Sequence, residues 1–115
     1  MLGWEDVLEL ARELPEVEES TSYGTPSLKV RGKFMARLRD EGRALVVRCD
    51  LDEKPFLLEA NPETLFTTPH YDGYGAVLVR LEAVGRDELK ELLIDAWLLA
   101  APKRLVDQAS PQQSG

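Results

Sequence analysis

The 115-residue sequence contains one cysteine, Cys49, and one histidine, His70. A single cysteine excludes a disulfide within the chain, and this pair excludes a structural zinc site built from cysteine and histidine ligands. The longest strongly apolar stretch, residues 92–101, is about half as long as a bilayer span and contains Asp95. The chain also starts without a basic segment followed by an apolar run, so a secretory signal is not expected. We predict a cytoplasmic protein with a reduced Cys49, without membrane contact and without a cofactor.

The composition is that of one folded domain. Hydrophobic residues make up 43% of the chain and charged residues 30%, which is enough apolar material for one core and excludes disorder throughout. We predict a single domain over residues 3–105. The polar composition of residues 106–115 predicts a disordered tail.

The charges are unevenly distributed along the chain. The 21 acidic and 14 basic side chains give a net charge of −7, so the protein as a whole repels nucleic acid and anionic membranes. Residues 1–20 contain seven acids and one base, whereas residues 29–50 contain seven bases and three acids. Any contact with a polyanion therefore depends on the local basic patch in residues 29–50.

Apolar residues at helical spacing predict an amphipathic helix at each end of the domain. The first covers Trp4 to Leu14 and ends before Pro15, and the second covers Arg86 to Ala101. Proline stops the second helix as well, because Pro102 cannot supply the backbone N–H that a continuing helix needs.

Between the helices the apolar spacing changes to strict alternation. Residues 18–49 alternate in short runs, and residues 76–81 repeat the pattern; the first set is interrupted by Gly24, Gly32 and Gly42. This predicts a three- or four-stranded antiparallel meander with tight hairpin turns, followed by one more strand. The connecting chain is predicted as a short helix, an extended piece and a turn-rich loop, at residues 52–59, 65–68 and 69–75. The predicted fold class is α+β, with an antiparallel meander covered on one face by the N- and C-terminal helices.

The basic residues of the meander fall in the opposite phase from its apolar residues. If the apolar phase points at the helices, one exposed sheet face carries Lys29, Arg31, Arg37, Arg39, Arg48 and Arg80, and Lys33 and Arg43 extend it into the hairpin turns. We call these eight residues the basic set. Because a guanidinium matches a phosphate with two parallel hydrogen bonds, the basic set is the candidate nucleic-acid site. The alternative is an ordinary solvated face whose arginines pair with neighbouring acids, among them Glu18, Glu19, Asp40 and Glu41.

The loop around His70 concentrates small, polar and aromatic side chains, which is typical of functional loops. His70, with Tyr71 and Asp72 beside it, is a candidate general base, although the chain lacks a matching nucleophile motif. The alternative is a structural loop in which Pro69 sets the turn and the tyrosines pack across the sheet. Cys49 shares the apolar phase of its strand and is predicted to be a buried small hydrophobe. We therefore do not expect an enzyme.

The order of these segments resembles the MmcQ/YjbR-like family of small bacterial proteins. The resemblance covers residues 3–105 and depends on the acidic first helix, the Tyr23-Gly24-Thr25-Pro26-Ser27-Leu28-Lys29-Val30-Arg31-Gly32-Lys33-Phe34-Met35-Ala36 segment, Thr68-Pro69-His70-Tyr71, and the Trp97 helix followed by Pro102-Lys103-Arg104-Leu105. It implies a double-wing α+β fold, similar to the DNA-binding domain of a phage transcription factor and to the frataxin-like topology. It also implies DNA binding without enzymatic activity, with the hairpins near Gly32 and Gly42 as the two wings.

The expected function is therefore DNA binding through phosphate contacts of the basic set. The alternative is a non-enzymatic module in which the same face binds an acidic protein partner or a small anion. Base readout by aromatic residues is not predicted on that face, since its polar phase contains none.

Overall fold

The computed structural model of the chain describes residues 1–22 and 24–109. Its four helices are α1 (Trp4–Ala11), α2 (Lys54–Ala60), α3 (Arg86–Ala100) and α4 (Lys103–Ala109). Its six strands are β1 (Val17–Ser22), β2 (Thr25–Val30), β3 (Lys33–Arg39), β4 (Ala44–Arg48), β5 (Leu65–Phe66) and β6 (Ala76–Arg80). Tyr23, the first residue of the segment that carries the family resemblance, lies outside the described residues.

The strands form one antiparallel sheet in the order β1-β2-β3-β4-β6-β5. The first four strands are the predicted meander, and the α+β class is confirmed. The turn between β2 and β3 consists of Arg31 and Gly32, both with positive φ, at 49° and 82°. Two successive left-handed residues match the right-handed twist of the flanking strands, which is why a glycine is needed there.

Helices α1 and α3 pack together on one face of the sheet, which we call the helix face. The central core residues there are fully buried and come from the predicted apolar phase, among them Leu28, Val30, Leu45, Val47, Val77 and Val79. The apolar stripe of α3 packs onto them through Leu89, Leu93 and Ala96. Burying these side chains removes apolar surface from water, which is the main force holding the two layers together.

A β-bulge in β3 changes the face to which Phe34 belongs. Ala36 pairs with Leu28 while Phe34 pairs with Lys29, so two steps along β3 match one step along β2. The extra residue, Met35, is completely buried in the helix-face core beside Ala36. Phe34 emerges on the opposite face, whereas the strict alternation predicted for residues 18–49 would place it on the helix face with Ala36 and Leu38.

The chain after Pro102 corrects the predicted tail in part. Helix α4 runs from Lys103 to Ala109, so residues 106–109 are helical, and residues 110–115 lie outside the described residues. Leu105 is buried and Val106 packs against the helix-face core, which gives this turn an apolar reason to form. Among residues 1–22 and 24–109, no helix combines the length and the apolar character that crossing a bilayer requires.

Candidate functional site

The sheet face opposite the helices, which we call the loop face, is partly covered by the chain between β5 and β6. Ala44, Val46, Ala76 and Leu78 form an apolar floor on this face, and Tyr71 packs onto it with 7% of its surface exposed. The expected bare charged surface is thus replaced in its centre by a second, smaller apolar cluster. On β4 and β6 the positions that face away from the helices are also occupied by apolar residues. These side chains must be shielded from water by some other part of the chain.

Lys54 holds the covering loop in place. It is the first residue of α2 and is 3% exposed, with its ammonium bonded to the backbone carbonyl oxygens of Tyr71 and of Tyr74, the latter at 3.0 Å. The carbonyl oxygen of Asp72 lies 3.5 Å away. An ammonium has three donors, so one side chain satisfies most of the turn's inward-facing carbonyls. Sequence reasoning missed Lys54, although a positive charge at a helix N-terminus is unfavourable and suggests a second role.

Gly75 lets the end of the loop approach β4 closely. The backbone N–H of Cys49 donates to the carbonyl oxygen of Gly75 at 2.8 Å. A side chain on Gly75 would place its Cβ 2.8 Å from the carbonyl oxygen of Cys49, which is closer than a methyl group tolerates. Cys49 itself lies in the helix-face core as predicted, and burial raises the pKa of its thiol.

Five members of the basic set lie on the loop face, as their register shows. Arg37, Arg39, Arg48 and Arg80 pair with or flank the residues of the apolar floor, and Lys29 lies opposite Phe34. Arg37 donates from Nη2 to the Tyr71 hydroxyl at 2.6 Å, and the Arg39 guanidinium lies 5.5 Å from the centre of the same ring. These arginines therefore stack on and bond to the loop.

Two further arginines of the loop face use neutral partners. The Arg80 guanidinium lies 4.4 Å from the centre of the Phe66 ring, and Arg48 donates to the carbonyl oxygen of Phe34 at 3.4 Å. Such contacts leave the positive charge uncompensated, unlike an ion pair. The loop face thus keeps a positive character although its arginines are partly buried.

Of the remaining members of the basic set, Arg31 and Arg43 lie in turns, and Lys33 is the first residue of β3. Arg31 has a left-handed backbone in the β2–β3 turn and forms a two-pronged bond to Glu16, at 2.7 and 3.0 Å, so its predicted place on the sheet face was wrong. This contact lowers the pKa of the Glu16 carboxyl. Among the described residues, Arg39 also pairs with Asp40 at 3.3 Å and Arg43 with Glu41 at 3.7 Å. Carboxylates thus neutralise part of the basic set, as the alternative interpretation expected.

An open groove of about 760 Å³ lies on the loop face between the β2–β3 turn and the covering loop. We call it the cationic–aromatic groove. Its lining consists of Lys29, Gly32, Phe34, Arg37, Val46, His70, Tyr71 and Tyr74. Lys33, the exposed first residue of β3, follows Gly32 of this lining but pairs with Val30 of the helix face. A second groove, of about 770 Å³, is lined by the carboxylates of Asp40, Glu41 and Glu82 beside Arg43 and Arg80, and is less suited to a polyanion.

The aromatic rings of the groove contact one another. The centre of the His70 ring lies 4.7 Å from that of Tyr71 and 5.6 Å from that of Tyr74, and the two tyrosine rings are perpendicular at 5.8 Å. His70 is exposed and Asp72 is exposed, with the Asp72 backbone near the Lys54 ammonium. The candidate general base is thus part of an open aromatic surface.

Sequence reasoning therefore found the basic residues of the groove and, as a separate candidate loop, His70 and Tyr71, but it did not bring the two sets together and missed Phe34 and Tyr74. Phe34 was assigned to the wrong face because the bulge at Met35 is invisible to a strict alternation pattern; the only signal was three consecutive apolar residues, Phe34 to Ala36. Tyr74 was noted only as part of a turn-rich loop. Aromatic side chains therefore lie on a face whose polar strand phase contains none.

This geometry defines a class of small α+β domain. One face of the sheet lies under helices, and the other lies under an anchored loop. The family model described as YjbR matches residues 12–99, so the chain belongs to the YjbR family. Uncharacterised proteins of Mycobacterium bovis and Mycobacterium tuberculosis are each 36% identical to it over 130 aligned positions, which cover all of both chains. The crystal structure of the Deinococcus radiodurans protein DR2400, with a DUF419 domain, matches with a TM-score of 0.73 and 24% identity, covering 86% of this chain and 78% of that one. This likeness shows the shared fold.

Proposed function

We propose that the chain binds DNA through the cationic–aromatic groove and the β2–β3 turn beside it. The observation that carries this proposal is that Lys29, Arg37 and exposed aromatic side chains line one open groove. Lys33 is exposed next to Gly32, the residue of the β2–β3 turn that belongs to the same lining. Ammonium and guanidinium groups bind phosphate oxygens, and these contacts supply most of the affinity of non-specific DNA binding.

The separation of charge between the two sides of the sheet supports this proposal. Acids of the first helix lie in the helix layer, where Asp6 and Glu9 pair with Arg86 at 2.7 and 3.0 Å. The loop face carries Lys29 and the four arginines described above, against the acids Glu18, which lies opposite Lys29 in the register, and Asp40, which pairs with Arg39. A protein of net charge −7 can therefore still present a positive face to a polyanion. The overall repulsion predicts modest affinity that falls steeply with salt.

The role we propose is binding without catalysis. His70 contributes an exposed, flat ring beside Tyr74 instead of a polarised base in a closed pocket. A general base needs a partner that orients it and a site that excludes water, and an open aromatic surface favours neither.

The test is fluorescence anisotropy of labelled duplex DNA at ~50 mM and ~200 mM salt. We expect binding at the lower salt and a steep loss at the higher. The double variant Lys29→Glu with Lys33→Glu removes two phosphate contacts and should reduce the slope of log affinity against log salt by roughly two. Lys90→Glu with Lys103→Glu is the matched control, because it changes the net charge equally and its lysines lie on α3 and α4.

Two results would contradict the proposal. One is the absence of DNA binding at the lower salt, and the other is an equal effect of the two double variants, which would mean that only net charge matters. Salt-sensitive binding of polyglutamate without any binding of DNA would instead favour an acidic protein partner on the same face.

A further inference from the structure

We infer that the cationic–aromatic groove takes an unpaired DNA strand, with the face of a base against Tyr74 and the neighbouring phosphate against Lys29 and Arg37. This inference rests on the proposed function and names the form of DNA that the groove fits. It follows from the aromatic side chains, which phosphate contacts alone do not require.

The exposed ring of Tyr74 is the feature that a base can use. Tyr74 is 56% exposed, whereas Tyr71 is 7% exposed and lies perpendicular to it at 5.8 Å. The buried ring thus supports the exposed one, and His70 extends the aromatic surface at 5.6 Å. Every base has an aromatic face, so stacking on such a surface is tolerant of sequence.

The loop that carries Tyr74 is held in place before any ligand arrives. Lys54 bonds to the backbone carbonyl oxygens of Tyr71 and Tyr74, and Gly75 joins the loop end to Cys49, the residue after β4. The Tyr71 hydroxyl also accepts a hydrogen bond from Arg37, a cation of the same groove. A surface ordered in advance loses little conformational entropy when it binds, which favours a specific role for the ring.

The size and lining of the groove favour an unpaired nucleotide over a duplex. A volume of about 760 Å³ is in the range of sites that hold one compact ligand group, and its floor includes the apolar side chains of Phe34 and Val46. In a duplex the base faces are stacked on one another, so aromatic and apolar groups gain little from it. Lys29 and Arg37 line the same groove and supply the charge for a phosphate.

The experiment compares a labelled single strand of roughly twelve nucleotides, of mixed sequence, with the duplex that it forms with its complement. Anisotropy at low salt should show tighter binding of the single strand. Tyr74→Ala should weaken single-strand binding by roughly 5-fold or more and duplex binding by a clearly smaller factor, whereas Tyr74→Phe, which keeps the ring, should bind like the wild type. Phe56→Ala is the matched control, since Phe56 is also an exposed aromatic residue, at 71%, but belongs to α2.

The outcomes separate this inference from the proposed function. Duplex binding as tight as single-strand binding, or equal effects of Tyr74→Ala and Phe56→Ala, would overturn the inference and leave DNA binding intact. Failure of both DNA forms to bind would overturn both. A free mononucleotide, dTMP, should compete poorly; competition as effective per nucleotide as that of the strand would mean that the groove is a mononucleotide site. Circular dichroism of each variant checks that the fold is retained.

Discussion

The guanidinium of Arg37 on β3 donates a 2.6 Å hydrogen bond to the hydroxyl of Tyr71 in the loop that covers the sheet. The two residues are 34 positions apart in the chain, and the bond joins the basic residues of the sheet to the aromatic residues of the loop. Tyr71 in turn packs on Val46 and Leu78, so the position of this arginine depends on the apolar floor beneath it. The groove is therefore a product of packing as much as of charge.

Removing the Tyr71 hydroxyl tests that bond. Tyr71→Phe keeps the ring that packs on the floor and contacts Arg39, but loses the acceptor for Arg37. Hydrogen bonds to charged groups contribute roughly 1.5–3 kcal/mol, so we expect the free energy of unfolding in urea to fall by an amount in this range. Tyr74→Phe, at an exposed position, should change it by less than about 0.5 kcal/mol. Equal stability of the two variants would show that the Arg37 bond contributes nothing.

The Lys54 anchor is tested by Lys54→Met, which keeps the length of the side chain and removes the ammonium. The carbonyl oxygens of Tyr71 and Tyr74 would lose the ammonium and keep only their backbone donors, the N–H groups of Tyr74 and Ala76, so we expect a loss of roughly 1.5–3 kcal/mol in urea unfolding. Hydrogen exchange at the amides of Tyr74 and Ala76, which bond within the loop, should accelerate. Lys103→Met, at an exposed site, is the control, and unchanged exchange in Lys54→Met would contradict the anchoring role.

Two loop glycines form a natural comparison. Gly75→Ala places a methyl group 2.8 Å from the backbone oxygen of Cys49, whereas Gly73→Ala meets nothing within 4 Å. We expect Gly75→Ala to destabilise the fold by about 1–3 kcal/mol, because backbone must move to admit the methyl group. Gly73→Ala should be neutral or slightly stabilising. The thermal unfolding of both variants measures this difference in stability. A Gly75→Ala variant as stable as the wild type would show that the loop does not approach β4 closely.

The first helix gives a pH-dependent prediction. Asp6 accepts a hydrogen bond from the backbone N–H of Gly3 and pairs with Arg86, and the Gly3 bond is the main reason that the pKa of Asp6 is lowered. Because the pKa of Asp6 is lower in the folded state than in the unfolded state, the charged carboxylate stabilises the fold. This stabilisation is complete at pH values above the unfolded-state pKa and is lost as the pH falls through the folded-state pKa.

Asp6→Asn should therefore be less stable than the wild type at pH 7, and the difference should shrink as pH falls below roughly 4. Melting temperatures across this range measure the effect. Glu5→Gln, an exposed acid in the same helical turn, is the control and should vary less with pH. A difference for Asp6→Asn that stays constant down to acidic pH would mean that the charge of Asp6 is not involved.

Local patterns predicted most of the fold because they depend on residues close together in the chain. The stripe from Leu89 to Ala100 predicted α3, and the glycine at position 32 predicted the turn between β2 and β3. The phase of Arg37 relative to Leu38 followed from strand alternation, and the register confirms it. The site was harder to predict from the sequence. Phe34 changes face at a bulge, and this bulge places Met35 in the helix-face core.

The order of apolar and polar residues by itself determined the α+β class, the helix face of the sheet and the phase of its arginines, because alternation and helical spacing are local consequences of backbone geometry. Only the tertiary structure decided that the opposite face carries a loop, that Lys54 anchors it, and that Arg31 turns away to Glu16. These contacts join residues 15 or more positions apart. They form because buried carbonyl oxygens need hydrogen-bond donors and because an apolar surface is unfavourable in water. The residues that meet these two needs are determined only when the chain has folded.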